Sequence, residues 1–168
     1  IELGASTIPS SYILPEILSA FGQLNPDIYF HSELSDSMGI IRKVESGGLD
    51  FGLVGMTTDS SELVFIPFLE DELVIVTPVS PHYLELSKEN VSLDNLLNEP
   101  FILREKGSGT KKAIDQYFDQ QRIPSGALNV VARMNDLEAV KRSIINGLGI
   151  SILSAKSVQD LKASRQVL

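Results

Sequence analysis

Leu34-Ser35-Asp36-Ser37-Met38-Gly39-Ile40-Ile41-Arg42-Lys43-Val44-Glu45-Ser46-Gly47-Gly48-Leu49-Asp50-Phe51-Gly52-Leu53-Val54-Gly55-Met56 is the stretch whose reading decides the fold. It opens on a polar loop, Leu34 to Ser37. Ile40, Ile41 and Val44 then recur at helical spacing. Gly47-Gly48 supplies the left-handed stop that ends a helix. Phe51 to Met56 reads as a buried strand. Loop, helix, stop and strand in this order describe one crossover of a parallel sheet, because parallel neighbours need a long connection, usually helical, between them.

The same unit recurs on both sides. Upstream, the strand Ile1 to Ala5 leads through the loop Ser6-Thr7-Ile8-Pro9-Ser10-Ser11 into a helix that runs to about Leu24. Leu14, Ile17, Leu18, Phe21 and Leu24 share one helical face. Pro15 belongs in or near the first turn, and Asn25-Pro26 ends the helix. A strand from Ile28 to Glu33 then feeds the quoted loop. Downstream, Leu63–Leu69 and Glu72–Thr77 read as strands from their β-branched and aromatic content. The turn-rich Thr77-Pro78-Val79-Ser80-Pro81 marks a lobe boundary.

Beyond it, Ser92 to Leu97 reads as a short capped helix and Phe101 to Arg104 as a strand. The loop Glu105-Lys106-Gly107-Ser108-Gly109-Thr110 opens a helix with Ala113, Ile114, Tyr117, Phe118 and Gln121 on one face, ended by Pro124 and Gly126. Leu128 to Ala132 is the next strand. Asn135 and Glu138 have the spacing of a capping box with Asn135 as the cap. Leu137, Val140 and Ile144 form the buried stripe of that helix, Gly147 its stop, and Gly149 to Leu153 the strand that follows. Strands alternating with helices through short loops predict an α/β protein, its parallel sheets covered by helices on both faces.

Composition bounds the function. The chain has 168 residues, 43 % hydrophobic and 21 % charged, with a formal net charge of −8. That is ample apolar material for a packed core, in one domain or two small lobes. No apolar run approaches the ~18–20 residues of a bilayer span, so no membrane partner is expected. The absence of cysteine excludes disulfides, thiolate metal sites and a cysteine nucleophile. The acidic balance argues against this segment gripping nucleic-acid phosphates. His31 and His82 are too few for a multi-histidine metal site, and Glu70-Asp71-Glu72 reads as a solvated turn. Gly107-Ser108-Gly109-Thr110 lacks the spacing of a P-loop and of a dinucleotide fingerprint, and no Gly-x-Ser-x-Gly elbow is present. No cofactor is therefore expected. The chain begins at Ile1 with no signal-peptide pattern ahead of the first strand, and its start reads as cut.

The chemistry lies in the loops that precede helices. A helix N-terminus presents unpaired N–H groups and partial positive charge. With Ser and Thr hydroxyls it holds carboxylate, sulfate or phosphate without a formal cation. The candidates are Ser6 and Thr7, Ser35 and Ser37, Ser108 and Thr110, and Asn135 and Asp136. Each one alone reads first as a helix cap; their recurrence in four units raises the ligand reading. Arg104, Lys106 and Arg133 either add charge to such a site or close surface salt bridges.

At these loops the sequence resembles the effector-binding domain of LysR-type transcriptional regulators. Four stretches carry the resemblance, in family order and spacing: Ile8 to Pro15, Val44 to Val54, Pro100 to Thr110 and Glu138 to Ile150. The resemblance implies two Rossmann-like lobes of the type 2 periplasmic-binding-protein fold, residues 1–77 and 78–158, joined by two crossover strands. Residues 159–168 would be a truncated return segment toward the first lobe, because the family's closing strand and helix are not in this sequence. It further implies a small-molecule effector in the interlobe cleft, with a small carboxylate or inorganic anion favoured. Ser6, Thr7, Ser37, Thr110, Asn135 and Asp136 match the family's ligand loops, and Met56 follows the third strand where the pocket is lined. A cytoplasmic homodimer or tetramer is implied, with DNA bound only through an N-terminal winged helix-turn-helix domain that this sequence lacks. Asp36 departs from the family's small polar loop and would repel an anion unless it points away as a cap. Two other readings share the fold: an extracytoplasmic solute-binding protein of a transporter, and an enzyme, for which no acid–base or nucleophile set is identifiable.

Overall fold

A computed structural model describes residues 1–89, 91–124 and 126–168. The chain divides into two compact units. Unit 1 comprises Ile1–Glu70 with Gly107–Gly109; unit 2 comprises Asp71–Lys106 and Thr110–Leu168.

Unit 1 is built on a three-stranded parallel sheet of order β2-β1-β3, with β1 Glu2–Ser6, β2 His31–Ser35 and β3 Phe51–Leu53. Two helices, α1 Thr7–Tyr12 and α2 Leu14–Leu24, connect β1 to β2, and α3 Ser37–Glu45 connects β2 to β3. Leu3, Ala5, Leu14 and Leu53 form the core beside the sheet, with Leu18 and Phe30 packed on them. A Cβ placed on Gly4 would meet Leu49 Cδ1 at 2.6 Å and Ile40 Cδ1 at 2.8 Å, so glycine there lets Ile40 reach the sheet.

The stretch expected as a loop after β1 is already helical. The helix then breaks at Ile13 (φ −128°, ψ −53°) because Pro15, in the first turn of α2, has no N–H for the carbonyl four residues back. The apolar stripe of α2 is only partly covered: Leu14 is buried, Ile17 and Phe21 are exposed, and Leu24 is 82 % exposed. β2 starts at His31 rather than Ile28 because its ladder begins opposite Glu2 and ends with Ser6 opposite Ser35. β3 stops at Leu53, since only Leu3 to Ala5 of β1 face it. Leu63–Leu69 forms no strand. Val64 and Ile66 are 88 % and 77 % exposed, and strand propensity offers a ladder without supplying the partner that makes one.

Unit 2 holds β4 Leu73–Val76, β5 Pro100–Arg104, β6 Asn129–Met134 and β7 Ser151–Ser154. β5 and β6 pair in parallel with an irregularity between Phe101 and Ile102, and Phe101 also bridges Ile150 in parallel. β4 and β7 pair antiparallel, a departure from the expected parallel pattern. The helices are α4 Pro81–Leu86, α5 Leu93–Leu96, α6 Gly109–Gln120, α7 Leu137–Ile145 and α8 Gln159–Ala163, the last preceded by a 3-10 turn, Ala155–Val158. Phe101, Leu103, Ile114, Phe118 and Ile150 centre the core. Val140 and Ile144 are fully buried on α7.

The two stops read from the sequence are left-handed, Gly47 at φ +73° and Gly147 at φ +79°. α6 ends at Gln120, before Pro124, and Arg122 takes the left-handed position at φ 57°. α4 was not evident in the sequence. Ser80 caps it, accepting from the Tyr83 N–H, with Pro81 in its first turn. Thr77 and Pro78 lie inside unit 2, where Thr77 and Leu168 exchange two backbone hydrogen bonds of 3.0 Å and Pro78 bridges Val167. Among the described residues no helix is long and apolar enough to cross a membrane.

Candidate functional site

In a parallel sheet every strand ends at the same edge, so the loops that follow the strands gather there. In unit 1 the register fixes this gathering, because Ser6 and Ser35 are direct partners at the ends of β1 and β2. Ser6 is buried and stands at the N-cap of α1 with no side-chain capping bond. Thr7, half-buried, is the first residue of that helix. Asp36 caps α3: its Oδ1 accepts from the Gly39 N–H at 2.6 Å, so this carboxylate is committed to the helix. Ser37, buried at the start of α3, accepts at Oγ from the Gly55 N–H at 3.3 Å, tying the loop after β3 to the loop after β2. Met56 follows and is half-buried. Two residues on, the Thr58 hydroxyl oxygen is buried without a hydrogen-bond partner among the described residues.

In unit 2 the register pairs Arg104 with Met134 at the ends of β5 and β6, so Glu105-Lys106 and Asn135-Asp136 leave the sheet side by side. An open hollow of about 500 Å³ lies between these loops and the first turns of α7, lined by Glu105, Lys106, Arg133, Met134, Asn135, Asp136 and Ala139. Arg104, 3 % exposed, makes a two-pronged pair with Glu105, Nε to Oε2 and Nη2 to Oε1 both at 2.9 Å. It also donates from Nη2 to the Asn135 carbonyl at 3.3 Å. The expected cap of α7 is corrected by one residue. Asp136 is the N-cap, its Oδ1 accepting from the Glu138 N–H at 2.9 Å, because β6 continues to Met134. Glu138 instead receives a hydrogen bond from the buried Lys141 at 2.8 Å. Ser108, which falls in unit 1, is buried, and Thr110, in unit 2, is the half-buried second residue of α6.

The candidates therefore gather as two sets. Ser6, Thr7, Ser35, Ser37 and Met56 share one edge of unit 1; Asn135 and Asp136 share one edge of unit 2. Of the three cations the sequence left open, Arg104 closes a salt bridge. Lys106 and Arg133 stand exposed at the hollow, with no side-chain hydrogen bond or ion pair among the described residues. Thr58 was missed, since nothing in a Thr-Thr pair after a strand marks one hydroxyl as unpartnered.

Two clusters away from these edges carry shifted ionisation. The hydrogen bond from Lys43 holds the Glu33 carboxyl below the usual range. In unit 2, Glu99 accepts from the Tyr83 hydroxyl at 2.7 Å and lies 2.8 Å from His82 Nε2. Burial alone would raise the Glu99 carboxyl, but the hydrogen bonds from Tyr83 and His82, with the His82 charge, outweigh it and lower it. Burial, reinforced by Glu99, pushes the Tyr83 phenol well above its usual range. Among the described residues, no group of three or more His, Cys, Asp or Glu is placed to hold a metal ion.

The family model of the LysR substrate binding domain matches residues 1–168. A protein of Anaeromyxobacter dehalogenans named as a phosphonates import ATP-binding protein is 32 % identical, over 95 % of this chain and 32 % of its own length. The HTH-type transcriptional activator CmpR of Synechocystis is 30 % identical, over 92 % of this chain and 49 % of its own length. The regulatory domain of CcmR from Synechocystis PCC6803, solved in complex with 2-PG, superposes with a TM-score of 0.80 at 29 % identity, covering 93 % of this chain and 72 % of that one. The chain thus spans about a third to a half of the two curated relatives it matches here. The architecture is that of LysR effector-binding domains, the type 2 periplasmic-binding-like fold.

Proposed function

The chain belongs to the LysR substrate binding domain family, and from that premise we propose that it is the effector-sensing part of a cytoplasmic transcriptional regulator. The observation that carries this reading is the family match over all 168 residues together with the clustered strand-end loops of each unit. CmpR, named as an HTH-type activator, extends over about twice the length of the matched segment. That supports a separate N-terminal winged helix-turn-helix domain as the part that binds DNA.

The ligand is a small anionic metabolite. Ser6, Thr7, Ser35, Ser37, Ser108 and Thr110 offer hydroxyls or backbone N–H groups at helix starts, and Asn135 and Asp136 flank the unit 2 hollow. The CcmR regulatory domain, at 29 % identity, was solved in complex with a small molecule, 2-PG, which supports a small-molecule effector here. Binding shifts the population of conformations of the regulator, a homodimer or a tetramer of it, and so alters how its DNA-binding domains engage an operator. No covalent step is needed, and no acid–base pair or nucleophile is assigned. The transporter reading loses its support to the family match and the regulator relatives. The relative named as an import ATPase matches over only 32 % of its length, and this chain carries no Gly-x-x-x-x-Gly-Lys-Ser/Thr sequence.

A thermal-shift panel of sulfate, phosphate and small organic acids tests the reading, because a ligand that binds only the native state raises Tm. A rise with at least one organic acid is expected. A flat response across the panel would overturn the anionic-effector reading.

A further inference from the structure

We infer that the hollow at the ends of β5 and β6 is an anion subsite, in which Lys106 and Arg133 hold a phosphate or carboxylate of the effector. The inference rests on the effector reading for its biological role.

Two carboxylates and two cations line this hollow, and a count of charges would call it neutral. The hydrogen bonds say otherwise. Glu105 is gripped through both oxygens by the buried Arg104, which lies behind the hollow rather than in its lining. Asp136 is turned onto the Glu138 N–H as a helix cap. Glu105 is thus compensated by a guanidinium, while Asp136 keeps its charge with one oxygen, Oδ1, turned onto a helix end; the two cations of the lining outnumber this single uncompensated acid. Lys106 and Arg133 have no such partner among the described residues.

The result is a local excess of positive charge in a chain whose net charge is −8. Lys106 and Arg133 both line the hollow without an acid partner among the described residues, so an anion seated there is attracted to two cations at once. A guanidinium adds two-pronged geometry for a planar or tetrahedral oxyanion, and an ammonium adds a movable point charge. Met134 and Ala139 supply an apolar wall for the carbon skeleton of the ligand. The ligand class that fits is a compact organic acid whose charged end faces Lys106 and Arg133. Arg104 is a positioning residue here: by holding Glu105 and the Asn135 carbonyl it keeps a carboxylate from competing with the ligand.

Inorganic phosphate is the probe. It is titrated into the isotope-labelled 168-residue chain, with amide chemical shifts as the readout. The largest shifts are expected at Lys106, Arg133 and Asn135. The double substitution Lys106→Gln with Arg133→Gln removes only exposed side-chain charge and should weaken phosphate at least tenfold with an unchanged Tm. Arg104→Lys, which keeps the charge but loses the two-pronged grip, should weaken it by a smaller factor. Shifts that cluster elsewhere, or an unchanged affinity in the double variant, overturn the subsite. If the subsite fails while an organic acid still raises Tm, the effector reading survives alone. If phosphate binds here but no organic acid raises Tm, the subsite survives and the effector reading falls.

Discussion

Unit 1 and unit 2 use the same local scaffold to present opposite chemistries. Each has a parallel strand pair in register at its end, Ser6 with Ser35 in one and Arg104 with Met134 in the other. Each has an aspartate-capped helix with a fully buried isoleucine, Ile40 on α3 and Ile144 on α7, and each helix is followed by a left-handed glycine, Gly47 and Gly147. Yet the edge of unit 1 carries hydroxyls and a single capping carboxylate, Asp36, with no cation, while the edge of unit 2 carries Arg104, Glu105, Lys106 and Arg133. A scaffold held together by buried aliphatic contacts leaves its loops free to vary, so the chemistry of a site is a property of loops and not of the fold.

The strongest challenge to this parallel is to empty the two cores. Ile40→Ala and Ile144→Ala each delete a fully buried side chain and should each lower stability by about 2–5 kcal/mol, the range for such cavities. Urea unfolding followed by circular dichroism measures both; a loss at one site and none at the other breaks the equivalence. The glycine stops come next. Gly47→Ala and Gly147→Ala force a side chain into the left-handed region, which costs about 1–2 kcal/mol. Equal drops in Tm would sharpen the comparison. The caps follow, with Asp36→Ala and Asp136→Ala each expected to cost about 1 kcal/mol.

The smallest effect concerns pH and separates the units. Glu33 in unit 1 and Glu99 in unit 2 are both lowered carboxylates. A carboxyl lowered in the folded state adds stability that is present above its unfolded value and is lost as pH falls through the folded one. Tm recorded from pH 7 down to pH 3 should therefore converge between the wild type and Glu33→Gln, and likewise Glu99→Gln, at the acid end. Salt should erase the Glu33 difference, because the Lys43 pair is partly solvated. The Glu99 difference should persist, since its side chain is largely covered and bonded by Tyr83 and His82. Equal salt sensitivity would count against the distinction.

Much of the scaffold was legible because it is written in short-range signals. Helical spacing marked Ile40 and Ile41, and Leu137, Val140 and Ile144; all are buried. Gly47 and Gly147 were readable as stops because few other residues adopt positive φ at low cost. The misses have a common cause. Leu63–Leu69 has strand composition but no ladder, and the stripe on α2 has helical spacing but an exposed end at Leu24. In both, the sequence displays an apolar surface, and only packing decides whether it is covered. The site was legible as loops and not as chemistry. Serines after strands were visible, whereas the orphaned Thr58 hydroxyl was not.

The sequence by itself determined the alternation of strands and helices, the helix ends, the acidic balance and the absence of thiol chemistry, and through four spaced motifs the resemblance to LysR effector-binding domains. These are local or additive properties, set by backbone preference, periodicity and composition. Only the tertiary structure decided that β4 and β7 run antiparallel, that Asp136 rather than Asn135 caps α7, and that Arg104 neutralises Glu105 while Lys106 and Arg133 have no ion-pair partner among the described residues. The first depends on the path of the chain between distant strands, and the cap of α7 depends on strand register, since β6 runs on to Met134. A shift of one residue turns a side chain to the other face or changes which residue stands at a helix start, and register is settled by pairing between segments far apart in the chain.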